Sequence, residues 1–331
     1  MAGATVEKNL ISTIHDTLQE EMRRDDRVVV LGEDVGARGG VFRATMGFLD
    51  EFGDERVLDT PLDETLIAGV SIGMALDGLL PVAEMQFADF IFPAFNQIIQ
   101  EAARIRYRSN GDFGVPMVIR TPYGGGVHGA LYHSQSIEAF FAHVPGIKVV
   151  APSTPYDARG MLIQAIEDPD PVLFLEHKKC YRLIKGEVPE DRYNIEFGKA
   201  EVRRQGSDVT CVSYGLMHHF CLEAAERLSG EGIEVEVIDL RSIYPMDMET
   251  VLESVGKTGK AMVVYEDNKF LGVGAEVSAQ IAEHALMDLD GPVVRIGGPH
   301  VPAMPFAPTL EHWFLPDADQ IEQEMRKLAE F

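Results

Sequence analysis

Short apolar runs alternate with stretches of helical period along the whole chain, the pattern of parallel strands covered by helices. "RVVVL" (27–31) predicts a buried strand, interrupted by the turn-rich "GEDVGARGG". "DETLIAGVSIGMALDG" (63–78) predicts a helix with Leu66, Val70 and Met74 on one face, and its Gly69 and Gly73 permit close backbone packing. "PVAEMQF" (81–87) predicts the next strand. "PAFNQIIQEAARIRYR" (93–108) predicts one amphipathic helix, opened by Pro93 and carrying Phe95, Ile98, Ala102 and Ile105 as its apolar stripe. Strand "PMVIR" (116–120), the glycine-rich loop "GGGVHGA" (124–130), a helix beginning at "SQS" (134–136), strand "IKVVAP" (147–152), helix 155–168 and strand "PVLFLE" (171–176) complete the first half.

Residues 177–198 have little periodicity and predict an extended connector. A second alternating set follows: strand 208–215, helix 217–229, strand 232–240, helix 247–256, strand 260–267, helix 274–287, strand 292–298 and a terminal helix. The expectation is an α/β protein of two doubly wound domains, 1–185 and 200–331, joined by a connector at 186–199. A chain of 331 residues with 46% hydrophobic content is long enough to bury a core in each.

Composition narrows the function. No apolar run reaches the roughly 18–20 residues of a membrane span, and "MAGATVEKNL" lacks a basic region followed by an apolar one, so the expected setting is cytoplasmic. Cys180, Cys211 and Cys221 match no metal-ligand spacing and are expected to be reduced thiols. A net charge of −24 excludes a nucleic-acid partner, which demands a basic surface. The acidity suits either a solvated surface or attraction of a basic protein partner.

The motifs taken singly are ambiguous. "GGGVHG" (124–129) has the glycine spacing of a dinucleotide fingerprint, but the strand that should end in a ribose-binding acid reads "KVVAPS", so NAD binding is set aside. "DTPLDE" (59–64) puts Glu64 at a strand-to-helix transition, where the residues alone favour a solvated first-turn glutamate. "EMQFADFIF" (84–92) is dense in aromatics, as a core segment would be. Glu33 and Asp34 in "GEDVG" follow a strand directly, where α/β proteins place functional loops. His133, between the glycine loop and the expected helix, fits both a capping residue and a group that meets substrate.

Taken together, "LGEDVGARGGVFRAT", "DTPLDE", "AEMQFADFIFPAFNQIIQEAARIRYRS", "HGALYHSQSIEAFFAHVPGIKVVAPSTPYDARG" and "DLRSIYP" resemble the beta subunits of thiamine-dependent 2-oxoacid dehydrogenases over nearly the whole chain. "QFADFIFPAFNQ", "GALYHSQS" and "EHKKCYRLIKGEVP" resemble the branched-chain enzymes more than the pyruvate enzymes. The resemblance implies an N-terminal pyrimidine-binding transketolase-like domain and a C-terminal transketolase-like domain. It also implies decarboxylation of a 2-oxo acid with acyl transfer to a lipoyl arm. The same role in a pyruvate dehydrogenase complex, or a non-catalytic docking subunit, are the alternatives.

In this family thiamine diphosphate is shared: the beta chain holds the aminopyrimidine ring, and the alpha chain holds the diphosphate and its Mg²⁺. The Gly-Asp-Gly…Asn metal motif is accordingly absent here, the nearest string being "NGDFG" (110–114). The resemblance implies that Glu64 is the cofactor-activating carboxylate, bonded to a pyrimidine nitrogen and favouring the imino form that can deprotonate the thiazolium carbon. A buried carboxylate of raised pKa suits that role. It implies further that Leu62 meets the ring through its backbone and that Phe90 packs against it, in place of the tyrosine common in this branch. His133 matches the active-site histidine, suited by its near-neutral pKa to move protons to the substrate oxygen or lipoyl sulfur. A structural K⁺ is implied around Val115, Met117, Val118, Ala165, Asp168 and Asp170, mostly through backbone carbonyls; Val118 stands where some relatives have threonine. The implied partners are an alpha subunit, in a heterotetramer of two alpha and two beta chains, and the lipoyl acyltransferase component. The second domain would carry the dimer contact and the docking surface.

Overall fold

The computed structural model describes residues 4–331. The first three residues of the stretch read for a leader lie outside the described residues. The chain divides into two compact units, residues 1–123 with 140–197, and residues 124–139 with 198–331. Both have the expected α/β architecture.

The first unit opens with an element that the strand-led reading passes over. Strand β1 (Thr5–Asn9) runs into helix α1 (Leu10–Arg24), capped by the Asn9 side chain on Ser12 N–H. Leu10, Ile14, Leu18 and Met22 recur every fourth residue and are fully buried. The unit then alternates strands β2 (Val28–Gly32), β3 (Val57–Asp59), β4 (Leu80–Glu84), β5 (Val118–Tyr123), β6 (Lys148–Val150) and β7 (Val172–His177) with helices. The helices are α2 (Phe48–Phe52), α3 (Glu64–Leu76), α4 (Ile105–Arg108) and α6 (Pro155–Glu167), with α5 (Glu138–Ala142) beginning in the last two residues of the 124–139 segment and ending in this unit. The strands lie in the order β6-β7-β5-β4-β2-β3, all parallel. β5 and β7 are buried along their whole length, as strands covered on both faces must be. A buried ion network joins three neighbours: Arg120 on β5 grips Glu176 on β7 with two bonds of 2.6 and 2.9 Å and reaches Glu84 on β4 at 2.9 Å. Removing Arg120 would leave two carboxyl groups buried without their cation, at about 3–5 kcal/mol.

Three expectations need correction. The segment 93–108 is not one α-helix but a 3₁₀ turn (Phe92–Ala94), a π-helical stretch (Gln97–Ala102) and the short α4. Ile98, Ala102 and Ile105 are nonetheless buried, so the stripe is right and the helix regularity is wrong. Helix α3 buries Ile67, Ala68, Ser71, Ile72 and Ala75, while Leu66 and Val70 are exposed. It is apolar nearly all round, so periodicity alone does not choose its buried face. The "connector" contains a short helix, α7 (Cys180–Leu183), and strand β8 (Lys185–Pro189), which pairs antiparallel with β1.

The second unit holds β9 (Glu201–Arg204), β10 (Val209–Ser213), β11 (Val235–Asp239), β12 (Ser242–Tyr244), β13 (Ala261–Asn268) and β14 (Val294–Gly298). Its helices are α8 (Gly215–Ser229), α9 (Met248–Thr258), α10 (Val273–His284), α11 (Pro308–Phe314) and α12 (Ala318–Ala329). The sheet order is β14-β13-β10-β11-β9, parallel except for β9 at the edge. Helix α12 packs on α8, with Arg227 to Asp319 at 2.6 Å and Arg326 to Glu231 at 2.6 Å. No described helix is long and apolar enough to cross a membrane, and the three cysteines are free and buried.

Candidate functional site

In the first unit, three neighbouring parallel strands end together, and each hands the chain to a candidate residue. β2 ends at Gly32 and continues into Glu33, β3 ends at Asp59 and continues into 60–64, and β4 ends at Glu84 and continues into 85–90. The carboxyl ends of parallel strands are where α/β sheets present their ligand sites. Thr60 N–H donates to the Gly32 carbonyl at 2.9 Å, and Gly36 N–H to Asp59 Oδ1 at 2.7 Å, binding the first two loops to each other. A Cβ on Gly36 would stand 2.6 Å from an Asp59 carboxylate oxygen, so a larger residue there would push aside the carboxylate that accepts its N–H.

Glu64 is the first residue of α3. Asp63 caps the helix by accepting Leu66 N–H, a contact of about 0.5–2 kcal/mol. Glu64 is buried, while Leu62, just before the cap, is 77% exposed. Burial pushes the Glu33 carboxyl up, and the negative charges of Glu64 and then Asp34 add to the shift. Phe90 ends a 3₁₀ turn (Ala88–Phe90) and is half-buried, with the Phe87 ring edge-on at 5.7 Å. Thr65 Oγ1 donates to the Pro93 carbonyl at 3.0 Å, which ties the start of α3 to the segment just beyond Phe90. Leu62, Glu64 and Phe90 thus belong to adjoining loops of one unit.

His133 belongs to the other unit. The segment 124–139 groups with the C-terminal sheet, where the ends of β10 and β13 receive it. Gly124 N–H donates to the Gln135 carbonyl at 3.0 Å and closes a loop whose neck is 124 and 135. Glu266, near the end of β13, accepts Gly125 N–H at 2.5 Å. Glu311 on α11 accepts Gly126 N–H at 3.0 Å and His128 N–H at 3.1 Å, and its second oxygen lies 2.5 Å from His128 Nδ1. A 3₁₀ turn, Ala130–Tyr132, leads into His133, which is half-buried.

The expectation of a helix beginning at "SQS" is overturned: 134–137 is not helical, and α5 starts at Glu138 and is only five residues long. Helix amides therefore do not act on His133. The residue that opens α5 is used differently. Glu138 is fully buried and accepts Tyr214 O–H at 2.7 Å. Its carboxyl is pushed up to about 8, by burial first and then by the charge of Asp267. Asp267 is itself pushed up to about 6, by burial and the neighbouring Glu266. Glu138, Tyr214, Glu266 and Glu311 carry no sequence signal for this arrangement, since the bonds span 76 to 185 positions.

The residues implied for K⁺ cluster at the amino ends of two neighbouring strands. Val115, Met117, Val118, Ala165 and Asp168 are buried, and the Met117 carbonyl accepts Val172 N–H at 3.0 Å. The donors are all oxygen, which suits a hard cation, and a carbonyl that accepts one amide keeps a second lone pair. Lys148 Nζ lies 2.6 Å from Asp168 Oδ1, and Arg106 Nε 2.5 Å from Asp170, so both carboxylates already face a cation. "NGDFG" forms a turn stitched by Gly111 N–H to the Arg106 carbonyl and Phe113 N–H to Ser109 Oγ.

Comparison with known proteins divides the chain near residues 184–198 and leaves 124–139 in sequence within the N-terminal domain, although that segment packs with the C-terminal unit. The transketolase pyrimidine-binding domain matches residues 7–184, and the transketolase C-terminal domain matches 198–321. The chain is 60% identical to the 2-oxoisovalerate dehydrogenase subunit beta of Bacillus subtilis (strain 168), covering 97% of this chain and 98% of that one. It is 48% identical, at the same coverage, to the pyruvate dehydrogenase E1 component subunit beta of the same organism. Among solved structures, a split-gene transketolase in an inactive beta4 tetramer superposes with a TM-score of 0.79 at 25% identity, over 99% of both chains. The chain belongs to the transketolase-like beta subunits of the 2-oxoacid dehydrogenases, a thiamine diphosphate enzyme family.

Proposed function

We propose that this chain is the beta subunit of a branched-chain 2-oxoacid dehydrogenase, active in the cytoplasm with an alpha subunit and a lipoyl acyltransferase. The observation that carries the substrate class is the gap between 60% and 48% identity to the two subunits of one organism over the same length. Glu64 in its capped, buried position at the strand ends supports a catalytic rather than a purely docking role.

Thiamine diphosphate supplies an electron sink for the carbanion left by decarboxylation. This chain would hold the pyrimidine end, through the Leu62 backbone, the Glu64 carboxylate and the Phe90 ring, while the alpha subunit holds the diphosphate and Mg²⁺. Glu64 would hold a proton at the pyrimidine nitrogen, and burial suits a carboxylate that must share one. His133 would move protons at the substrate oxygen and the lipoyl sulfur. The K⁺ around 115–118 and 165–170 belongs to the same reading as a stabilising ion. In sequence the domains run 1–185 and 200–331 with 186–199 between them, 124–139 packing with the second unit; the second domain would be the contact for dimerisation and the acyltransferase, to which the acidic chain suits a basic module.

The test is reconstitution. The purified chain alone should neither bind thiamine diphosphate at micromolar concentration in calorimetry nor turn over; with its alpha partner it should do both and prefer branched 2-oxo acids to pyruvate. Micromolar binding by the chain alone, or a preference for pyruvate, would overturn the reading.

A further inference from the structure

We propose that Glu311 is a positioning residue for His133, acting as a splint on the loop that carries it. The inference rests on the assignment of His133 as a proton-transfer group. A run of three glycines reads as slack, but this loop is held at both levels. Its neck is closed by Gly124 N–H to the Gln135 carbonyl and anchored by Glu266 on Gly125 N–H. Its tip is held by Glu311 through two backbone N–H groups and the His128 ring, beside a longer bond from Gln135 Nε2 to the Leu131 carbonyl at 3.4 Å. Glu311 is 3% exposed, although His128, its partner, is largely in solvent. A buried carboxylate with three donors directed at it from one short segment is a strong, charge-assisted tie.

The tip needs such a tie. His128 and Ala130 both have left-handed backbone, at φ of 56° and 55°, which costs non-glycine residues energy unless the surroundings enforce it. Between them, Gly129 packs so closely on the histidine that a Cβ would stand 2.5 Å from the His133 carbonyl oxygen and 2.8 Å from its Cβ. Glu311 therefore bears on the backbone and Cβ of His133 through 126 and 128 to 129. Because Glu266 and the neck are separate anchors, loss of Glu311 should free the tip without releasing the loop.

The experiment uses the assembled alpha–beta complex and compares Glu311→Ala and Glu311→Gln, each with His133 present and in a His133→Ala background. Amide hydrogen exchange over 124–135 is the readout independent of turnover. Glu311→Ala should speed exchange there, leave thiamine diphosphate affinity unchanged, and lower kcat for acyl transfer by about ten- to a hundredfold with little change in KM. Glu311→Gln keeps an oxygen for both N–H groups; its smaller loss, roughly threefold to tenfold, carries the test if the alanine variant does not assemble. In the His133→Ala background neither change should lower turnover further. Equal losses in both backgrounds, or no loss and unchanged exchange, would overturn the positioning role. If His133→Ala alone turns over like wild type, the assignment of His133 fails, and the positioning role with it.

Discussion

The two regions that carry candidate chemistry are built on the same plan and held by opposite means. Both lie at the carboxyl ends of parallel strands, β2–β3–β4 for Glu64 and β10–β13 for the loop of His133. Glu64 is fixed by its own neighbourhood: a strand that ends five residues back, a cap one residue before it, and a helix that begins with it. His133 is fixed by groups far away in the chain, Glu266 and Glu311, which reach back to residues 125–128. Local rules are therefore sufficient for the first and fail for the second.

The predictions sharpen that contrast. Glu64→Gln is expected to have the largest effect, reducing 2-oxoacid turnover of the assembled complex to background while assembly is unchanged, because an amide accepts a hydrogen bond but does not share a proton. Turnover assay and size-exclusion chromatography on one preparation check it. His133→Ala comes next, with a loss of roughly 10²–10⁴ in acyl transfer and cofactor affinity little changed. A capping residue would show the reverse, about 0.5–2 kcal/mol of stability lost and near-normal turnover.

Gly129→Ala probes the same group without touching it. The added methyl must displace His133 by a fraction of an ångström, so turnover should fall by up to about a hundredfold while the melting temperature drops only modestly. Unchanged turnover would mean that the loop yields there freely.

Glu138 gives a pH test. Its carboxyl keeps a proton in the folded chain to about pH 8, against an ordinary value of 4.5. Between those values the unfolded chain binds fewer protons than the folded one, so this group's contribution to stability is lost as pH rises through the window. Glu138→Gln mimics the protonated form and keeps an acceptor for Tyr214. Its melting temperature should decline less from pH 6 to pH 8.5 than that of the parent, by a few degrees; parallel profiles would contradict the assignment. The smallest effect is expected at the oxygen cluster near Asp168. Because Lys148 already faces that carboxylate, exchanging Na⁺ for K⁺ should raise the melting temperature by no more than about 2 °C, and Asp168→Asn should remove the difference.

How much of this was legible in the sequence follows from the same contrast. The strand-to-helix step at "DTPLDE" is written locally, in Pro61, the Asp63 cap and the apolar run that follows. The face that α3 buries is not, because apolar residues surround the helix. The stripe of 93–108 is legible, yet the π-helical stretch inside it depends on packing rather than propensity. The glycine loop reads as flexible because glycine permits many conformations, and the carboxylates that select one lie on β13 and α11. The helix expected after His133 starts only at Glu138, whose buried bond reaches Tyr214, 76 positions away in the chain. The roles proposed for Glu64 and His133 come from motif resemblance; composition and periodicity alone leave both ambiguous.

The division of labour between the two regions can be measured at one atom. Hydrogen–deuterium exchange at the thiazolium carbon, followed in the assembled complex, should be lost in Glu64→Gln and remain near the wild-type rate in His133→Ala, even though both variants have lost acyl transfer. Wild-type exchange in Glu64→Gln would leave Glu64 as a helix-end residue and contradict the account.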